Sequence, residues 1–72
     1  MAETHVMAPM VGKIVAIHVK PGDKVKENDP VVTIEAMKME MPVPAPLDGT
    51  VKAVHVSEGD VVESDTILVT IE

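Results

Sequence analysis

The chain has 72 residues, a formal charge of −6, no cysteine and no aromatic side chain, and all six of its basic residues are lysines. Disulfide frameworks and Cys/His zinc staples are therefore excluded. So are the arginine-bearing and aromatic surfaces on which nucleic acids bind and stack. The core must be built from aliphatic residues, and Val and Ile dominate them. These β-branched side chains suit a pleated surface, so an all-β domain is expected. No stretch is long and apolar enough for a membrane span. Met1-Ala2-Glu3-Thr4-His5 has neither the basic start nor the apolar run of a secretory leader, and a cytoplasmic protein is expected.

In chain order, the first elements recur at a fixed offset of 37 residues. Ala8-Pro9 returns as Ala45-Pro46, and Gly12 returns as Gly49. His18-Val19 returns as His55-Val56, Gly22-Asp23 as Gly59-Asp60, and Val32-Thr33-Ile34-Glu35 as Val69-Thr70-Ile71-Glu72. A register kept without a gap marks an internal repeat, with halves at about 8–35 and 45–72 of a single domain spanning 1–72. Within the first strand of each copy, Ile14/Val51, Ile17/Val54 and Val19/Val56 are apolar. That spacing breaks the period of two once, near 15–16, and predicts a β-bulge.

Turns follow at Pro21-Gly22-Asp23 and Glu58-Gly59-Asp60, where glycine supplies a positive φ. Short strands through Val25 and Val62 come next, then turns at Glu27-Asn28-Asp29-Pro30 and Glu63-Ser64-Asp65. Val32 and Ile34, like Val69 and Ile71, share one parity. Thr33, Glu35, Thr70 and Glu72 share the other, which predicts strands with a polar outer face. Met41-Pro42-Val43-Pro44-Ala45-Pro46 can only be an edge strand, because proline cannot donate to a ladder. Each half thus offers about four short strands. Neither half can bury an apolar face alone, and packing the two about a pseudo-two-fold axis gives a small sandwich or flattened barrel.

Between the copies lies the segment from Ala36 to Val43. Its centre, Met37-Lys38-Met39, falls at a hairpin tip on a rigid base. Two-residue hairpin turns favour Asn-Gly, because both central residues need φ > 0. If Met37 and Lys38 are that pair, each costs roughly 1–2 kcal/mol, which suggests that their side chains are wanted for another purpose. The methionines read either as a packed strand face or as a soft surface for another protein to grip. Lys38 reads either as a solvated charge or as a modified residue. Intrinsic catalysis is not expected. An active lysine nucleophile needs burial or a neighbouring cation, whereas Lys38 lies between Glu35 and Glu40. His18 and His55 are repeat equivalents, separated by the pseudo-axis, and no metal site is expected.

Glu35-Ala36-Met37-Lys38-Met39-Glu40 resembles the attachment motif of biotinyl domains, the biotin carboxyl carriers of biotin-dependent carboxylases, decarboxylases and transcarboxylases. Ala8-Pro9-Met10-Val11-Gly12, Val19-Lys20-Pro21-Gly22-Asp23 and Ala45-Pro46-Leu47-Asp48-Gly49 match the same pattern. The resemblance implies a flattened barrel-sandwich hybrid of two four-stranded antiparallel sheets, with the lysine on the tight turn that joins the halves. It implies that biotin protein ligase joins biotin to Lys38 by an amide, and that Met37 and Met39 present it, with Ala36 and Glu35 completing the binding motif. The domain would then be a non-catalytic carrier, monomeric in isolation. It would move a carboxyl group between a biotin carboxylase and a carboxyltransferase or decarboxylase, most plausibly of the acyl-CoA carboxylase class. Val11 stands where the family often has proline, and Asn28-Asp29 where it often has glycine. The gapless repeat leaves no room for the protruding loop of some carriers, so the thumbless type is expected. A lipoyl carrier would share the fold but typically shows Asp-Lys-Ala at the turn. An unmodified adaptor module would need no lysine there.

Overall fold

The structure, a computed structural model, describes residues 3–72; the first two residues of the expected domain lie outside them. Eight strands follow one another: β1 (Thr4–Met7), β2 (Gly12–Ile17), β3 (Lys24–Val25), β4 (Pro30–Ala36), β5 (Met39–Pro44), β6 (Gly49–Val54), β7 (Val61–Val62) and β8 (Ile67–Ile71). They form two four-stranded antiparallel sheets, ordered β1-β8-β6-β3 and β5-β4-β2-β7. Moving 37 residues along the chain carries β1 to β5, β2 to β6, β3 to β7 and β4 to β8, so the two sheets are copies of each other. Each sheet takes two strands from each half. The repeat also reaches further toward the N-terminus than the identical residues suggest, because Val6 of β1 and Val43 of β5 are equivalent core positions.

The halves are tied together where the glycine turns of one meet the long strands of the other. Gly22 and Gly59 adopt φ values of 96° and 93°, which glycine alone takes without a steric penalty. The Gly22 N–H donates to the Val51 carbonyl at 2.8 Å, and the Val51 N–H donates to the Asp23 carbonyl at 2.8 Å. The mirrored pair is Gly59 N–H to Ile14 carbonyl at 2.7 Å and Ile14 N–H to Asp60 carbonyl at 2.8 Å. Each turn is braced from within, since Asp23 and Asp60 accept from the backbone N–H groups of Lys20 and Ser57 at 3.0 and 2.8 Å. The following turns use the left-handed region at Asn28 (φ 76°) and Asp65 (φ 68°), residue types that tolerate it.

Ile14, Ile34, Leu68, Ile71, Val31, Val32, Val51 and Val69 form the fully buried centre of the core. The expected bulge is present: the register of β2 on β4 shifts between Ile14 and Ala16, and that of β6 on β8 between Val51 and Ala53. A second bulge in each copy escapes the alternation rule. The register shifts between Pro30 and Val32 on β4, and Leu68 is skipped where Val6 and Met7 pair with Val69 and Ile67. The extra residues, Val31 and Leu68, turn inward and are wholly buried.

The polar parity of β8 also needs correction, because Thr70 is buried. His5 Nδ1 and His55 Nε2 lie 3.1 and 2.7 Å from its hydroxyl and cover it, so a polar position becomes enclosed yet satisfied. In the first copy His18 alone caps Thr33, at 2.7 Å, and Thr33 stays partly exposed. The residue equivalent to His5 there is Pro42, which has nothing to donate.

Gly12 and Gly49 do more than mark the repeat. A Cβ on Gly49 would sit 2.5 Å from Ile71 Cγ2 and 2.9 Å from the Glu72 carbonyl oxygen. One on Gly12 would sit 2.3 Å from Ile34 Cγ2 and 2.8 Å from the Glu35 carbonyl oxygen. Absence of a side chain at these points lets the long strands of each sheet approach. Gly49→Ala is therefore expected to lower stability by about 1–3 kcal/mol through overpacking, read as a fall in the urea midpoint with an unchanged slope.

Candidate functional site

β4 and β5 form a hairpin whose register runs Thr33↔Pro42, Ile34↔Met41, Glu35↔Glu40, Ala36↔Met39. Only Met37 and Lys38 remain between the strands. Both occupy the left-handed region, with φ values of 54° and 65°, as a type I′ turn demands. Two side-chain-bearing residues are thus held where Asn-Gly is preferred. Sequence reasoning places this pair correctly, and the strain is a feature of the native turn.

The hairpin is rigid below and open above. Ile34 is fully buried and Ala36 nearly so, anchoring β4 in the core. The Cβ of Ala36 lies 3.5 Å from where a side chain on Gly12 would begin, so β2 braces the base of the turn. Gly12 belongs to the site as a positioning residue that the motif alone does not reveal; its recurrence as Gly49 was the available signal. β5 is an edge strand, as its prolines require. At the tip Met37 is 88% exposed and Met39 66%, while Lys38 is exposed too. Met41, further down, is half-buried and packs as a strand residue.

Lys38 enters no ion pair among the described residues, where the one salt bridge is Lys52–Glu3. Its ε-amine is held out on a fixed backbone with no partner among the described residues. The methionines beside it offer apolar, adaptable surface rather than charge. Glu35 faces Glu40 directly across the hairpin, and Lys13 of β2 pairs with Glu35 on its other side. Like charges set directly opposite oppose strand pairing by roughly 0.2–1 kcal/mol. His18 and His55 lie on separate sheets against separate threonines, and no group of three metal-ligating side chains occurs among the described residues.

An exposed, unpaired lysine at the apex of a strained, well-braced turn fits covalent attachment of a group that must reach outward. Residues 4–71 match the family model described as "Biotin-requiring enzyme". The chain belongs to the biotin-requiring enzyme family.

As a biotinyl domain it carries the cofactor and supplies no catalysis of its own. It is similar to the gamma subunit of glutaconyl-CoA decarboxylase from Acidaminococcus fermentans, 57% identical over 35 residues, covering 49% of this chain and 24% of that protein. It is also similar to the biotin carboxyl carrier protein of acetyl-CoA carboxylase from Solanum lycopersicum, 60% identical over 35 residues, covering 49% of this chain and 50% of that one. Among solved structures, the Kluyveromyces lactis urea carboxylase superposes with a TM-score of 0.93 at 30% identity, over 100% of this chain and 6% of that one. The aligned segments span about a quarter and a half of these two curated relatives.

Restoring the preferred turn residues with Met37→Asn and Lys38→Gly should relieve the left-handed strain and raise stability by about 1 kcal/mol or more. The check is a higher urea midpoint for the double variant, while Met41→Asn, lower on the same hairpin, should not show the gain.

Proposed function

We propose that the chain is a biotin carboxyl carrier of an acyl-CoA carboxylase or a related decarboxylase, with biotin joined to the ε-amine of Lys38. The observation that carries this reading is the position of Lys38, exposed and left-handed on a two-residue turn, between Met37 and Met39. Ala36 seats the turn in the core, and Glu35 begins the acidic face beside it. Among the relatives, glutaconyl-CoA decarboxylase and acetyl-CoA carboxylase are named for CoA thioesters, the first as carboxyl donor and the second as acceptor, and support a CoA thioester as the substrate class. The partners of such a carrier are a biotin protein ligase, a biotin carboxylase and a carboxyltransferase or decarboxylase component. Prolines along the β5 edge discourage sheet extension and favour a monomer.

The work of this chain is geometric. In ligation the Lys38 amine displaces the activating group from a biotin carboxyl and loses a proton as the amide forms. When bound, biotin supplies a ureido nitrogen able to hold and give up a carboxyl group. Lys38 alone extends roughly 6 Å from its Cα, by ordinary bond lengths, and a biotinyl group held there would lengthen that arm. The braced turn fixes the pivot, so movement is confined to single bonds outside the fold. Tethering raises the local concentration at each partner site, to about the mM range for a short flexible link.

Incubation with a biotin protein ligase, ATP and biotin should add one biotinyl group to the intact mass of the wild-type chain and none to Lys38→Ala. A folded wild-type chain that stays unmodified beside an active ligase would overturn the proposal. A lipoyl increment in cells would reassign it to the other class of swinging-arm carrier.

A further inference from the structure

Met37 and Lys38 are the whole of the connection between the two strands where the copies join, and they are also strained. Both hold side chains at positive φ, 54° and 65°, and no glycine lies between Gly22 and Gly49 to take that burden. Straightening the two residues into extended backbone removes the left-handed strain, but it carries β5 away from β4. A first half opened in this way cannot close its own core. Four strand pairings join one half to the other: β1 with β8, β2 with β7, β3 with β6 and β4 with β5. The buried residues of both halves, from Ile14, Val32 and Ile34 to Leu68, Val69 and Ile71, belong to one cluster. What satisfies an opened first half is therefore a second half of the same sequence, supplied by another copy of the chain.

We infer that two copies of the chain exchange halves, with Met37 and Lys38 as an extended hinge, so that β1 to β4 of each pack against β5 to β8 of the other. The exchange keeps the four joining pairings, the docking of Gly22 on Val51 and of Gly59 on Ile14, and the whole core. Only the hinge changes, which is the condition for swapping at low cost. Within one chain the halves meet at high effective concentration, and that favours the closed monomer when the chain is dilute. Each exchanged pair straightens four left-handed residues, and that favours the pair as concentration rises. A short hinge under strain is the setting that invites this exchange. Neither half closes a core alone, so the two forms interconvert only through unfolding and each is long-lived once folded. The exchange does not depend on what Lys38 carries. Its consequence for loading rests on the proposed attachment: in the exchanged pair Lys38 leaves the apex of a turn and lies on a strand between two bodies, so the closed monomer is the form that presents it.

The test is refolding from urea at about 1 mM and about 1 µM chain, where mass action favours and disfavours pairing, with light scattering on the separated species. The wild-type chain should give a dimer fraction at the higher concentration only. The double variant Met37→Asn, Lys38→Gly should give at least about tenfold less, because Asn-Gly takes the turn without strain. Isolated wild-type dimer, mixed with isotope-labelled dimer, should trade no chains until urea passes the unfolding midpoint. Absence of dimer, an equal dimer fraction in the variant, or chains that trade on simple mixing would overturn the exchange; the last result would mark an ordinary contact between surfaces. Biotin protein ligase with ATP and biotin should load the monomer at least about tenfold faster than the isolated dimer, read as kcat/KM. Equal loading would overturn the withdrawal of Lys38 from its apex. A monomer that accepts no biotin would instead overturn the attachment at Lys38, and the exchange of halves would stand on the refolding result.

Discussion

The interleaving of the two halves is the constraint from which the other features follow. In the sheet that carries the attachment hairpin, β4 and β2 come from the first copy and β5 and β7 from the second. The other sheet reverses the contribution. An apolar face such as that of Ile14, Val32 and Ile34 is closed only by strands from both copies. A chain this short buries a modest share of its surface on folding, and with no disulfide or aromatic ballast it depends on sharing one core completely. The glycine turns that dock on Val51 and Ile14, and the side-chain-free contacts at Gly12 and Gly49, hold the shared core at its working distance.

That arrangement explains why the junction between copies suits a carrier. A loop joining two independent bodies would move with both of them. Here the connection leaves β4 at Ala36 and re-enters at Met39, two adjacent positions of one ladder, so the tip inherits the rigidity of the sheet. The strain at Met37 and Lys38 is tolerated because Ile34, Ala36 and the neighbouring β2 over-determine the strand below. Met and Lys stand where Asn and Gly would fold more easily, and the contradiction between local preference and residue choice is the clearest functional mark in the chain.

Much of this was legible in the residues themselves. The 37-residue register foretold a pseudo-symmetric all-β body, and the spacing of Ile14, Ile17 and Val19 foretold the first bulge. Met41 to Pro46 could only be an edge. What the alternation rule hid were the second bulge, which turns Val31 and Leu68 inward, and the enclosure of Thr70 by His5 and His55. Both depend on contacts between sheets, or between residues 65 positions apart, that no local period records. Which strands join which sheet was likewise beyond the pattern, because hydrophobic periodicity gives the face of a strand but not its neighbour. The motif located Lys38, yet it gave no hint of Gly12 as a brace.

The exchange of strands also bears on descent. A polypeptide only one repeat long would leave the pairing edges of β2 and β4 uncovered, and could reproduce this core only as a two-fold symmetric pair of chains. Such a pair would carry its free ends at both poles. Joining the two copies in tandem converts one pair of repeat ends into a covalent turn, the one that Met37 and Lys38 form. A single covalent apex at Lys38 is therefore what a tandem arrangement of two such copies yields, where a symmetric pair of separate chains would have none.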